Sequence, residues 1–160
     1  MKLKGVVMED FVNYKKPSLF LITSKCDWKC CNELGIDISI CQNEPMAKQA
    51  AKDISKESIY KAYINNNITK AIVFGGLEPM LQFDEVLDII QYFRAQECHD
   101  TFVIYTGYYP QEITWKLNNL KRFDNIIVKF GRYTPNRPSR YDDVLGITLV
   151  SDNQYAERIS

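Results

Sequence analysis

Cys26, Cys30, Cys31 and Cys41 fall within sixteen consecutive positions, and Cys98 stands apart from them. Thiolates gathered in a loop suit zinc or an iron–sulfur cluster. A structural zinc site wants four ligands, commonly as two close pairs. Here Cys26 and Cys30 are separated by three residues, Cys31 is adjacent to Cys30, and Cys41 is isolated. Successive side chains diverge, so an adjacent pair rarely holds one metal together, and three thiols are the natural ligand count. Three thiolates on a 4Fe–4S cluster leave one iron with an open position, where a substrate or cofactor can bind directly. The lone His99, beside Cys98 in a polar setting, reads as a surface residue rather than a ligand.

The elements that must position these residues alternate. Residues 5–14 read as a short strand or extended arm, broken by Lys15-Lys16-Pro17. Residues 18–23 form the first clear strand and feed the cysteine loop. Residues 24–54 read as loop at first, with a short helix over 46–52. Ser55 is the expected N-cap of a helix over about 56–65. A strand at 70–74 stops at Gly75-Gly76. The helix over 82–96 places Phe83, Val86, Leu87, Ile90 and Phe93 on one face. A strand at 102–105 ends at Thr106-Gly107, and Tyr109-Pro110 opens a helix to about 121 with Ile113, Leu117 and Leu120 inward. A strand at 125–130 ends at Gly131. Residues 132–143 read as a polar loop, 146–150 as a last strand, and the remainder as a polar tail. Alternation from 18 to 130 predicts an α/β fold: a partial (β/α) barrel of about five or six mostly parallel strands with outer helices and right-handed crossovers. In such folds the C-terminal strand ends carry the site, and the unusual residues collect there.

Composition sets limits on this. The 160 residues suit one domain spanning 1–160, with a substantial core. Hydrophobic content of 46% and charged content of 25% are ordinary for a soluble globular protein. Lys+Arg and Asp+Glu balance at 20 each, so no net field favours nucleic acid or an anionic membrane. No apolar run approaches the roughly 18 residues of a membrane span. The short apolar stretch after Met1-Lys2-Leu3-Lys4 runs into Glu9-Asp10, unlike a signal peptide. A cytoplasmic location is therefore expected, and cysteines there read as metal or redox ligands before disulfides.

Several segments together carry a resemblance. Cys26-x-x-x-Cys30 fits the start of a C-x-x-x-C-x-x-C loop that closes on an aromatic residue and Asn. Cys41-Gln42-Asn43 is similar to that close, giving C-x3-C-x10-C, with most of Asn32 to Ile40 as an insertion. Gly75-Gly76-Leu77-Glu78-Pro79 resembles an S-G-G-E-P segment. Tyr105-Thr106-Gly107-Tyr108 resembles a Y-T-G-Y segment, and Ser151-Asp152-Asn153-Gln154 a terminal S-x-N-Q. In this order, nearly end to end, the chain resembles the radical S-adenosylmethionine (SAM) superfamily, and within it the activating proteins of anaerobic ribonucleoside-triphosphate reductase.

That resemblance implies a 4Fe–4S cluster on Cys26, Cys30 and Cys41, with Cys31 the alternative third ligand. It implies SAM as cofactor, with Asn43, Gly75, Gly76, Glu78, Pro79, Thr106 and Lys129 as the candidate binding residues. Carbonyls exposed at a strand end beside a Glu suit the ammonium group of SAM, glycine permits the close approach, and the Leu77 side chain must point away. Lys129 is a candidate for the SAM carboxylate or the substrate; by pattern alone it reads as an edge charge. Arg132, Arg137 and Arg140 read as a solvated loop or as residues that grip a partner. The implied activity is that of an oxidoreductase. A flavodoxin-type reductant supplies one electron, SAM is cleaved to methionine and a 5′-deoxyadenosyl radical, and a glycyl radical is made on a large partner enzyme. The chain length leaves few residues to close a half barrel, which favours a protein partner over the open side. Two alternatives stand beside this: a radical SAM enzyme acting on another peptide or nucleotide, and a non-catalytic zinc or iron–sulfur module.

Overall fold

A computed structural model describes all 160 residues. Four segments rich in β-branched and aromatic residues form its centre: β2 (Ser18–Thr23), β4 (Ala71–Gly75), β5 (Thr101–Tyr105) and β6 (Ile126–Phe130). They pair in parallel in that order. Every residue of β4 and β6 is buried, as a strand covered on both faces requires. β1 (Lys2–Asp10) runs antiparallel to β2 and carries the two-residue β3 (Lys52–Asp53) on its outer edge. At the far side β9 (Tyr155–Arg158) pairs antiparallel with β6.

The result is an open seven-stranded sheet of order β3-β1-β2-β4-β5-β6-β9. The expected α/β class and parallel core are present, and the strand ends do not meet as a closed barrel. Two assignments near the C-terminus change. The strand expected at 146–150 is not in the main sheet: β8 (Ile147–Leu149) pairs with β7 (Arg140–Asp142) in a separate hairpin. The expected polar tail instead supplies β9. Asp142 explains the exchange. Its carboxylate accepts from Leu145 N at 2.9 Å, closing the hairpin, and from Ala156 N at 2.8 Å, holding β9.

Alternation along the strands sorts the core onto two faces. Ile72, Phe74, Phe102, Ile104, Ile126 and Val128 meet the helices α3 (Lys56–Ile64), α4 (Phe83–Ala95) and α5 (Thr114–Leu120). The Ser55 side chain caps α3 as expected, accepting from Ser58 N at 3.2 Å. In α4 the buried stripe is Phe83, Val86, Ile89, Ile90 and Phe93, with Leu87 only half-buried at its margin. The helix expected from 110 divides into a 3-10 turn, Pro110–Glu112, and α5, with Ile113, Leu117 and Leu120 buried. On the opposite face the smaller Ala71, Val73, Val103 and Ile127 meet Tyr14, Leu145 and Leu149. The β7–β8 hairpin therefore fills part of the side that chain length alone left open.

At the N-terminal strand edge, Arg94 donates to the carbonyls of Cys98, Asp100 and Asp124 at 2.5, 3.1 and 2.7 Å. Exposed His99 lies there with Asp124, at 2.7 Å. Cys98 and His99 thus sit at the edge opposite the other four cysteines. No helix is long and apolar enough to cross a membrane.

Candidate functional site

The C-terminal ends of β2, β4, β5 and β6 open into a cavity of about 450 Å3, and Cys26, Cys30, Cys31 and Cys41 all line it. Each is placed by a different local device. Cys26 follows the end of β2 directly. A short helix, α1 (Lys29–Leu34), which sequence reasoning missed, carries Cys30 and Cys31 in its first turn. Trp28 reverses the chain into that helix with a φ of 57°, and Gly35 ends it at 63°. A 3-10 turn over Ile38–Ile40, capped by Asp37, then delivers Cys41. The helix expected over 46–52 is shorter and earlier, α2 (Glu44–Ala47).

All five cysteines are free, and Cys26, Cys30 and Cys41 are half-buried, whereas Cys31 is buried. Burial pushes the Cys26 thiol up to about 12, with the charge of Cys30 adding to the shift. Burial also raises Cys41, again with a contribution from Cys30. Cys30 therefore lies within electrostatic reach of both. The Sγ atoms of Cys30 and Cys31 are 3.9 Å apart. Burial disfavours thiolate at Cys26, Cys30 and Cys41, and a bound cation reverses that by favouring it. No group of three or more His, Cys, Asp or Glu side chains converges on a single-ion site. A 4Fe–4S cluster offers a separate iron to each thiolate, and several soft ligands lining one cavity suit it.

The opposite wall comes from the β4 end. Thr23 Oγ1 donates to Gly75 O at 3.0 Å. Gly76 has a φ of +83°, and a Cβ there would stand 2.5 Å from Ile22 Cγ2 and 3.1 Å from Met46 Sδ. Only glycine fits. Leu77 is half-buried in the same wall. Glu78 N donates to Lys25 O at 2.7 Å, tying this wall to the cysteine loop. The Glu78 carboxylate accepts from Met80 N at 2.9 Å, Thr106 Oγ1 at 2.8 Å and Gly107 N at 2.8 Å. Burial nevertheless dominates and lifts its pKa to about 7, against those three hydrogen bonds. Pro79 is buried at the start of a 3-10 turn, Pro79–Gln82, outside the cavity lining. Asn43 and Thr106 both reach the lining.

Lys129 is not an edge charge, because β6 is flanked by β5 and β9. It is 7% exposed, and its Nζ makes one hydrogen bond, to Gly131 O at 3.1 Å. Its other two donors have no hydrogen-bond partner, and Lys129 is part of the cavity lining. Burial lowers its pKa to about 8, opposed by the Glu78 charge. Glu78 and Lys129 thus give the cavity a weakly acidic and a weakly basic group, each readily switched by a charged ligand.

Other wall residues were not among the expected binding residues. Val12 and Asn13 reach the cavity from the β1–β2 connection, where Tyr105 OH donates to Asn13 O at 2.5 Å. Ile147 to Val150 line it from the hairpin. Gln154 hangs on Gly131 O at 3.3 Å, and the S-x-N-Q likeness was its sequence signal. Arg132 departs most from expectation. It is 6% exposed rather than solvated, and it bonds Glu112 Oε1 at 2.5 Å. Arg137 behaves as a surface residue, pairing with Asp152, and Arg140 is exposed.

The model of one protein family, described as 4Fe-4S single cluster domain, matches residues 17–146. The match takes in all four cysteines of the cavity, Gly75 to Pro79, Thr106, Lys129 and Arg132. Comparison with curated proteins and with solved structures finds no match.

Proposed function

The chain belongs to the 4Fe-4S single cluster domain family, and from that footing we propose that it is a radical SAM oxidoreductase that makes a glycyl radical on a partner enzyme of the anaerobic ribonucleotide reductase type. One observation carries this reading: three half-buried thiols share a cavity with Gly75-Gly76, Glu78 and Lys129 at one end of a parallel sheet. Cys26, Cys30 and Cys41 would hold the cluster. When bound, the cluster supplies the electron, from a flavodoxin-type donor, that cleaves SAM reductively and yields the radical that takes hydrogen from the partner's glycine.

The chain's own residues account for binding and orientation. The Gly75 carbonyl and the Glu78 carboxylate suit an ammonium group, and the free donors of Lys129 suit a carboxylate. These groups lie in one cavity, as an amino-acid moiety with both charges requires. Gly76 lets the chain pack against Ile22 and Met46 at this strand end. Val12, Ile40 and Val150 line the cavity yet stay exposed, and Phe11 beside them is 63% exposed. Apolar side chains at a cavity mouth support closure by a protein rather than by water.

The test is anaerobic reconstitution with iron and sulfide, followed by reduction with SAM and a reductase partner carrying deuterated glycine. Methionine, 5′-deoxyadenosine and deuterium in the latter are expected. Cleavage of SAM without deuterium transfer would move the substrate to another peptide or nucleotide. Zinc at one per chain with no cleavage would leave a non-catalytic module.

A further inference from the structure

Helix α1 carries Cys30 yet has little to hold it. Six residues are too few for a helix to persist alone. Its N-cap, Trp28, gives no side-chain hydrogen bond, and Cys31 is its one buried residue. Locally, Asp27 Oδ1 accepts from Lys29 N at 3.2 Å and Asp27 O from Asn32 Nδ2 at 3.1 Å; the remaining fastening comes from outside, at the end of β6. Arg132 Nη2 donates to Glu112 Oε1 at 2.5 Å, and Arg132 Nε stands 2.9 Å from Glu33 Oε2 on α1. That second approach is a contact of charges rather than an aligned hydrogen bond, because Nε has no acceptor within bonding geometry. Lys29, one turn earlier on α1, bonds the same Glu112 oxygen.

The anchor itself has further partners. Glu112 Oε2 accepts from Tyr109 N at 2.7 Å, the Arg132 carbonyl accepts from Asn153 Nδ2 at 2.8 Å, and the guanidinium lies 4.9 Å from the Tyr109 ring centre. Arg132 also shares the wall of a small cavity of about 40 Å3 with Cys26 and Cys30. We propose that Arg132, held by Glu112, is the positioning residue of the cysteine helix: it fixes α1 through Glu33 and sets a positive charge beside two cluster ligands. The charge-setting half of this rests on the cluster reading above; the positioning half does not.

The experiment uses R132Q, R132K and E33Q in the full chain. In the metal-free protein, amide exchange within α1 should rise about tenfold in R132Q and about threefold in E33Q, while β4 and β5 exchange as before. R132K should resemble R132Q, because an ammonium cannot span both carboxylates as the guanidinium fork does. In the reconstituted protein the cluster midpoint potential should move to more negative values in R132Q and to more positive values in E33Q, following the local charge. Unchanged α1 exchange in both R132Q and E33Q overturns the positioning role. Potentials that do not move, or that move the same way in both, overturn the charge-setting role. If R132Q does not fold, E33Q decides alone, since Glu33 is a half-exposed surface side chain. A parent chain that takes up no cluster would refute the cluster reading, and the metal-free exchange data would still judge the clamp.

Discussion

Replacing Glu78 by Gln perturbs the most strongly shifted carboxylate of the cavity wall. Its pKa stands at about 7 against an ordinary 4.5, because burial outweighs the three hydrogen bonds it accepts. The folded chain therefore keeps this proton where the unfolded chain has lost it. Stability is greatest below the unfolded value and falls as pH rises through the folded one. The difference between 4.5 and about 7 corresponds to about 3 kcal/mol, of which about 2.5 kcal/mol falls between pH 5 and 8. In Glu78→Gln the carbonyl oxygen still accepts from Met80 N and Thr106 Oγ1, while the new amide nitrogen faces Gly107 N–H. Donor against donor costs about 1–3 kcal/mol. The variant is thus less stable than the parent at pH 5, and the two converge or cross by pH 8. Urea unfolding of the metal-free chain at pH 5, 6, 7 and 8, with a constant slope, reads this directly. A parent-minus-variant difference that stays flat across those values refutes the placement of an uncompensated carboxylate in the wall.

Two further outcomes follow from the same cavity. Gly76→Ala should destabilise the chain by about 1–3 kcal/mol in chemical denaturation, because a positive φ and a Cβ pressed on Ile22 Cγ2 are both resisted. Lys129→Met should be neutral or stabilising by about 1–4 kcal/mol at pH 7, since it replaces a buried cation with one hydrogen bond by an apolar chain. It should also abolish the gain in stability that the parent shows between about pH 8, the folded value, and 10.5, the ordinary lysine value. Loss of stability at pH 7 would show that the Lys129 charge is compensated in the folded chain.

Much of the parallel core was legible because its signal is local. Runs such as Ala71-Ile-Val-Phe and Ile126-Ile-Val-Lys-Phe are β-forming throughout, and Gly75, Thr106 and Gly131 mark their ends. Helix α4 was legible from its apolar stripe. What escaped depended on partners distant in sequence. Helix α1 has one buried residue and, at its start, only Asp27 Oδ1 accepting from Lys29 N at 3.2 Å, so its pattern is weak; it is also held by Arg132, a hundred positions away, through Glu33 and Glu112. Strands β7 and β9 are short and polar, and which partner β8 takes hangs on the two oxygens of Asp142. Arg132 looked solvated because its neighbours 133–143 are, and only the fold brings carboxylates around it. Among cavity residues, the cysteines stood out by type and spacing, whereas Gly76, Glu78 and Lys129 entered through the family resemblance. That Val12, Tyr105 and the hairpin meet them in one cavity was not legible, because it depends on where the chain crosses the sheet end.

The central claim is that three thiols, on Cys26, Cys30 and Cys41, hold one 4Fe–4S cluster in the cavity at the sheet end. Cys→Ala variants at 26, 30, 31, 41 and 98, each reconstituted without oxygen and assayed for iron and acid-labile sulfide per chain, test it most directly. Loss at 26, 30 and 41 with retention at 31 and 98 is the predicted result. Retention at 41 with loss at 31 would contradict the ligand set, and retention in every single variant would contradict the claim itself.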